Sequence, residues 1–235
     1  VSTSILTHQK SEFSRGLLAG MTIAIGYMPA ALTFGLLAKG TGLTFLETVA
    51  MSIFIFAGAS QYMALNLLAI GTGAFEIIFT TFIVNIRHLL MSAAVREKME
   101  DDHPFKRAIT AFGITDEVFA MVATQNERVK TSYIMGVALL AYVSWVGHSA
   151  IGYVAGTALP ATLQQSMGIA LYAMFIALLM PSLRKHRYVL LLAGSAALFN
   201  LLFSMFLPSG WAIICATLLA SIGYEGVKHL RRICS

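Results

Sequence analysis

Charge is what this sequence has least of: only 11% of its 235 residues are Asp, Glu, Lys or Arg, against about 25% in soluble domains. A soluble chain of this size needs charge to cover its surface, whereas a surface facing lipid needs almost none. That excludes most soluble folds and leaves no length for a separate soluble catalytic domain. Cysteine is scarce too. Cys215 and Cys234 are too few and too badly placed for a disulfide framework or a metal site. The net charge of +5 does not indicate nucleic acid, because the basic residues form short clusters between apolar runs, where Lys and Arg orient membrane proteins. Residues 1–15 are too polar for the apolar core of a signal peptide, and the run that follows is long enough to span.

What is present is apolar length. Hydrophobic residues make up 57% of the chain and concentrate at 16–38, 46–70, 75–95, 133–155, 163–183, 188–207 and 210–227. Each run is unbroken over about 20 residues, the length of a spanning helix, instead of alternating over about ten as barrel strands do. The expected fold is therefore all-α: a single polytopic integral membrane domain over 1–235 with about seven transmembrane helices. Between the third and fourth runs, 96–130 is polar, except that 109–125 is apolar again and is interrupted by Thr115-Asp116-Glu117.

Lys and Arg counts set the expected topology. If 109–125 is re-entrant or lies at the cytoplasmic face, an N-out, C-in arrangement puts 13 basic residues inside and leaves only Lys10 and Arg15 outside. If 109–125 crosses, eight spans put both termini inside, with ten basic residues inside and five outside. The seven-span arrangement has the stronger bias and is the one expected. A weak internal similarity accompanies it: Phe34-Gly35-Leu36-Leu37-Ala38 with Gly40-Thr41-Gly42-Leu43 resembles Ile151-Gly152-Tyr153-Val154-Ala155 with Gly156-Thr157-Ala158-Leu159. Three intervening spans would invert the second copy, giving three-helix repeats over 16–95 and 131–207 with an extra helix at 210–227. Inverted repeats are a common transporter plan, although small apolar residues also match easily by composition.

Polar side chains at membrane depth are costly and need partners or a cavity. In the third run, helical geometry places Thr81, Asn85, His88 and Ser92 on one stripe, with Arg87 about 200° from Asn85. The guanidinium suits a substrate carboxylate, an internal acid such as Asp116 or Glu117, or a snorkelling position at the cytoplasmic face. In the second run, Gly58-Ala59-Ser60-Gln61 suits a helix broken in mid-membrane, whose exposed N-terminus would attract a carboxylate. A close helix crossing with Gln61 as a hydrogen-bonding tie is the alternative. Pro29 and Pro181 are further places for a kink. Gly16-x-x-x-Gly20, Gly152-x-x-x-Gly156 and the stripe Gly136, Ser144, His148, Gly152 and Gly156 read as close packing.

Several function classes fail on missing motifs. There is no Gly-x-Ser-x-Gly or His-Glu-x-x-His for an intramembrane hydrolase, no mid-span Lys for a retinal Schiff base, no filter sequence for a channel and no Walker A pattern for ATP-driven transport. An ion-coupled or facilitated carrier without cofactor or metal remains, and no enzyme activity is expected.

The run Phe56-Ala57-Gly58-Ala59-Ser60-Gln61-Tyr62, the group Asn85-x-Arg87-His88 and the segment Gly113-Ile114-Thr115-Asp116-Glu117-Val118-Phe119-Ala120 together resemble the AzlC family, the larger subunits of bacterial branched-chain amino acid exporters. The resemblance is strongest between 26 and 120. Close relatives have Asp where this chain has Asn85. The resemblance implies a multi-pass transporter of the bacterial cytoplasmic (inner) membrane, exporting valine, leucine, isoleucine or analogues with a small AzlD-type membrane partner. The expected substrate-binding residues are Gly58, Ala59, Ser60, Gln61, Asn85, Arg87 and His88. Asp116 or Glu117 is expected to bind the amine or couple the ion; Asp116 is favoured, with Glu117 facing water. Both acids could equally cap a short helix beginning near Thr115.

Overall fold

The computed structural model describes residues 11–155 and 187–233, with isolated positions at 158, 160, 162, 176, 180, 183 and 184. The fifth expected span, 163–183, falls outside the described residues but for three positions, as do Pro181 and most of the second repeat's 156–159. The described chain is helical: α1 Glu12–Gly40, α2 Phe45–Phe54, α3 Gly58–Ala69, α4 Ala74–Lys98, α5 Pro104–Phe112, α6 Asp116–Ala123, α7 Thr131–Ala155, α8 Arg187–Phe203 and α9 Ser209–Ile233. Among the described residues, α1, α4 and α7 are long and apolar enough to cross a membrane. This is an all-α membrane protein.

The helix starts follow local chemistry. Ser11 caps α1, its side chain accepting from the Ser14 N–H at 3.2 Å. Thr44 and Glu47 close a capping box on α2, with Thr44 N–H donating to Glu47 at 2.7 Å and Glu47 N–H to Thr44 at 3.3 Å. Pro29 lies inside α1 without ending it. The Thr33 hydroxyl donates to the Pro29 carbonyl at 2.9 Å.

The chain divides into two compact units, Val1–Ala57 with Arg87–Gly168, and Gly58–Ile86 with Ile169–Ser235. In the first unit α1 and α7 run parallel along a seam of small residues. A Cβ added at Gly16 would strike the Tyr133 carbonyl, one at Gly20 would come within 2.8 Å of the Val137 carbonyl oxygen, and one at Gly152 would strike the Leu32 carbonyl. Ser144 donates across the seam to the Ala24 carbonyl at 2.7 Å. Lipid supplies no hydrophobic drive between helices, so backbone approach of this kind is what joins them.

Helix α2 packs antiparallel to α7: Tyr153 donates to the Leu43 carbonyl at 2.9 Å, Ser52 to Ser149 at 2.9 Å, and Tyr142 to the Ile53 carbonyl at 3.0 Å. It stops half-way, at Phe54. Helices α5 and α6 enter and leave at the end where α1 and α7 begin. Phe13, Ile109 and Met135 line one cavity there, Phe112 reaches Tyr142 of α7 at 6.0 Å between ring centroids, and α6 returns to place the Ala123 carbonyl 2.6 Å from Lys98 Nζ. The apolar stretch of 109–125 is thus two short helices that double back on one another.

The N-out, C-in arrangement expected from the Lys and Arg counts puts Arg15 on the opposite face from Arg128 and Lys130, yet these three with Glu12, Glu100 and Glu127 line a single cavity of about 400 Å³, and Arg15 lies over the Tyr133 ring at 6.0 Å. The cause is physical: apolarity reports that a run can be buried, not that it is one continuous helix. The second run is two half-helices. The similar segments Phe34–Ala38 and Ile151–Ala155 accordingly end helices that run parallel, whereas an inverted pair would run antiparallel.

In the second unit Ser60 of α3 donates to Asn85 of α4 at 2.5 Å. The first turn of α4 holds the start of α9, where Gly210 N–H donates to Glu76 Oε1 at 3.0 Å and Trp211 packs on Phe79 at 5.6 Å. Tyr188 and Tyr224 stack at 5.4 Å, so α8 and α9 pair antiparallel.

Candidate functional site

Two helix interruptions carry the polar residues. At the first, 55–57 separates α2 from α3, and Phe56 has φ 41°, a left-handed conformation that costs a bulky L-residue about 1–2 kcal/mol. The break lies ahead of Gly58, which is the first helical residue of α3 and not the unwound one. The Phe56 ring is fixed against Tyr142 at 5.1 Å, Phe112 at 6.3 Å and Tyr27 at 6.5 Å. Aromatic packing holds the strained backbone.

At the second, Gly113 ends α5 and Thr115 starts α6. Gly113 is buried so tightly that a Cβ there would come within 2.6 Å of the Ala138 Cβ. The Thr115 hydroxyl accepts from Val118 N–H at 3.4 Å, the N-cap bond, and Asp116 and Glu117 occupy the first turn, where the helix dipole favours acids. This is the short capped helix that was the alternative reading of the two acids. They are also paired. Asp116 Oδ2 lies 3.0 Å from Arg87 Nη2, with side chains 28% and 37% exposed. Tyr27, 4% exposed in the middle of α1, hydrogen-bonds Thr115 Oγ1 at 2.8 Å and also Glu117 Oε2.

The acids therefore exchange the environments expected of them. Glu117 is held inward by a buried tyrosine, and Asp116 is the ion-paired, partly exposed one. Arg87 is paired to an internal acid, but incompletely: its Nε is buried without a hydrogen-bond partner among the described residues. A planar donor fork with one edge on Asp116 keeps another edge for a further acceptor.

Ser60 and Gln61, 1% and 0% exposed, lie in the second unit with Asn85; Gly58 and Ala59 are half-buried at the start of α3. Arg87, His88, Asp116 and Glu117 belong to the first unit, where His88 is half-buried. His148 Nδ1 donates to the Ser144 carbonyl at 2.8 Å, within its own helix, as a packing residue. Tyr27 and Phe56 were missed. A lone tyrosine in the middle of an apolar run was a signal for the first, since a buried hydroxyl needs a partner. Nothing in the sequence marks Phe56 as left-handed.

The family model described as AzlC protein matches residues 22–159, a stretch that includes both interruptions and the Arg87–Asp116 pair. An Archaeoglobus fulgidus relative described as an uncharacterized membrane protein is 34% identical over 200 residues, 83% of this chain and 87% of its own. The inner membrane protein YgaZ of Escherichia coli is 33% identical over 223 residues, 90% of this chain and 91% of its own. The branched-chain amino acid transport protein AzlC of Bacillus subtilis is 28% identical over 138 residues, 57% of this chain and 54% of its own. No solved structure matches. A family match over more than half of the chain, with both helix interruptions inside it, makes this protein a member of the AzlC family of membrane transport proteins.

Proposed function

We propose that this protein exports branched-chain amino acids such as L-valine across the bacterial cytoplasmic membrane, with a small AzlD-type membrane subunit as partner. The observation that carries the reading is the Arg87–Asp116 pair with its buried Nε, which has no hydrogen-bond partner among the described residues. The substrate carboxylate takes the unused donor edge of Arg87 and the ammonium takes Asp116, so the zwitterion inserts into a charge pair that already has both signs. This leaves no charge uncompensated in either the empty or the loaded state. His88, one residue on, is kept as a proposed substrate-binding residue on the helix face of Asn85. The first turn of α3, Gly58 to Gln61, with Asn85 bonded to Ser60, is a second candidate for carboxylate contact through its backbone N–H groups. The name of the Bacillus subtilis relative supports the substrate class.

The charge pair alone suits other small zwitterions, and substrate competition separates the two readings. Radiolabelled valine efflux is measured from cells expressing the protein with and without the partner. Export that needs both chains, and that unlabelled leucine and isoleucine inhibit better than glycine or alanine, supports the assignment. Equal inhibition by all four overturns the branched-chain specificity.

The orientation we propose draws on the parallel packing of α1 and α7. Arg15, Arg96, Lys98, Lys106, Arg107, Arg128 and Lys130 lie at the end of the first unit where α1 begins, and Lys39 at the other. On the positive-inside rule we take that end as the cytoplasmic one, which would set the start of α1 inside where the sequence reading expected it outside.

A further inference from the structure

Tyr27 occupies the centre of a side-chain cluster that the substrate reading leaves unused. Its hydroxyl has two partners on the segment 109–125, Thr115 Oγ1 at 2.8 Å and Glu117 Oε2, but a phenol has one proton to give. The three groups therefore form a chain with two proton arrangements. With Glu117 ionised, Tyr27 donates to the carboxylate, the Thr115 hydroxyl donates to the Tyr27 oxygen, and Thr115 still accepts the cap bond from Val118 N–H. Every group is then satisfied. With a proton added at Glu117, the carboxyl donates to Tyr27, Tyr27 donates to Thr115, and the Thr115 oxygen must accept from both Tyr27 and Val118. One proton has entered at Glu117, none has left, and the change has reached the N-cap of the helix that carries Asp116.

We propose that Tyr27 is a positioning residue for a transported or coupling proton held on Glu117, and that it transmits the protonation state of Glu117 to the start of α6. The site is built for one chain of bonds: the Tyr27 ring is fixed edge-on against Trp145 at 5.2 Å and against Phe56, so its hydroxyl has a set position. Among the described residues, the other charge acting directly on Glu117 is on its own turn. Asp116 lies beside it, and Arg87 offsets Asp116. A substrate that loosens the Arg87–Asp116 pair changes the field at Glu117, so substrate and proton act on one turn of helix from its two sides. The link to substrate rests on the proposed function; the proton step itself does not.

The test is a pH titration of the protonated carboxyl band in infrared spectra of the purified protein in lipid vesicles, with the Glu117 band identified by its loss in Glu117→Gln. Tyr27→Phe removes the donor to the carboxylate, and the midpoint is expected to rise by about one pH unit, a tenfold gain in proton affinity. Thr115→Ser, which keeps the hydroxyl, leaves it in place. If Tyr27→Phe does not yield folded protein, Thr115→Val gives a rise in the same direction through the weakened Tyr27 hydroxyl. A midpoint unmoved in the recovered variant, or the absence of any titrating Glu117 band, overturns the proposal. In cells, the pH profile of valine efflux shifts with the band. A band that shifts while valine is not transported keeps the relay and removes the substrate reading.

Discussion

Arg87 and Asp116 meet at 3.0 Å although they come from different helices, one from the middle of α4 and one from the first turn of α6. The pair fixes the interrupted segment to a spanning helix. Arg87→Lys keeps the charge but loses the planar fork and the Nε donor. Loss of a hydrogen bond to a charged group is worth about 1.5–3 kcal/mol, so valine efflux is expected to fall roughly ten- to hundredfold. Full activity in Arg87→Lys excludes fork recognition of the carboxylate.

Asp116→Asn tests the other half of the pair. Breaking a fully buried pair costs about 3–5 kcal/mol. With these side chains about a third exposed, solvent screening reduces that, and the protein is expected to fold with a modest loss of thermal stability. On the proposed reading transport suffers more, because Arg87 keeps an uncompensated charge and the ammonium assigned to Asp116 loses its acid. Wild-type efflux at every pH would reject a role for Asp116.

The seam between α1 and α7 predicts a contrast among glycines. Gly152→Ala places a methyl against the Leu32 carbonyl and Gly136→Ala one against Leu17 N at 2.9 Å, whereas at Gly26 nothing lies within 4 Å. The first two are expected to lower the unfolding temperature in detergent and the yield of folded protein. Gly26→Ala is expected to be neutral or to stabilise by up to about 1 kcal/mol through helix propensity. Equal effects at all three positions would show that the seam is not what holds the first unit together.

The seam was legible because small residues at helical spacing have one steric use, whatever the surroundings. Asp116 and Glu117 were legible as a capped helix start for the same local reason. Legibility ended where long-range geometry decides. The direction of α7 relative to α1 depends on where intervening runs break, and no residue in the second run marks that break: Gly58 is the obvious breaker, yet the strain falls on Phe56, held by rings from α1, α5 and α7. The exchange of roles between Asp116 and Glu117 has the same origin. Helical spacing sets the two about 100° apart, but which one faces inward depends on Tyr27, distant in sequence.

Phe56→Gly sets two effects against each other. Glycine removes about 1–2 kcal/mol of backbone strain, but truncating a packed aromatic costs about 3–5 kcal/mol, so loss of the ring outweighs relief of the backbone. The variant is expected to be less stable than the parent by a thermal-shift assay, despite its relaxed backbone. A more stable Phe56→Gly protein would mean that the ring contributes little and the strain is the dominant feature.

Ser60 and Asn85 give a prediction in the second unit. The Asn85 carbonyl oxygen accepts from the Ser60 hydroxyl at 2.5 Å, and a carboxylate at position 85 would accept the same bond. Asn85→Asp is therefore expected to fold with the bond intact, while Asn85→Leu leaves a buried hydroxyl unpaired at a cost of about 1–3 kcal/mol. Thermal stability of the pair of variants decides it. An Asn85→Asp protein as unstable as Asn85→Leu would show that position 85 needs the amide nitrogen as well.

The orientation can be fixed by two tags in one cell. Because α1 and α7 begin at the same end, and Lys98 and Glu100 bond to that end through the carbonyls of Ala123, Gln125 and Val129, a tag before Ser11 and a tag inserted at 100–102 must lie on the same side of the membrane. From the excess of Lys and Arg there, that side is proposed to be cytoplasmic. Both tags are expected to be shielded from an impermeant reagent in intact cells and labelled after permeabilisation. Tags on opposite faces would contradict the parallel packing itself. Tags together on the outer face would keep the packing and show that charge does not orient this chain.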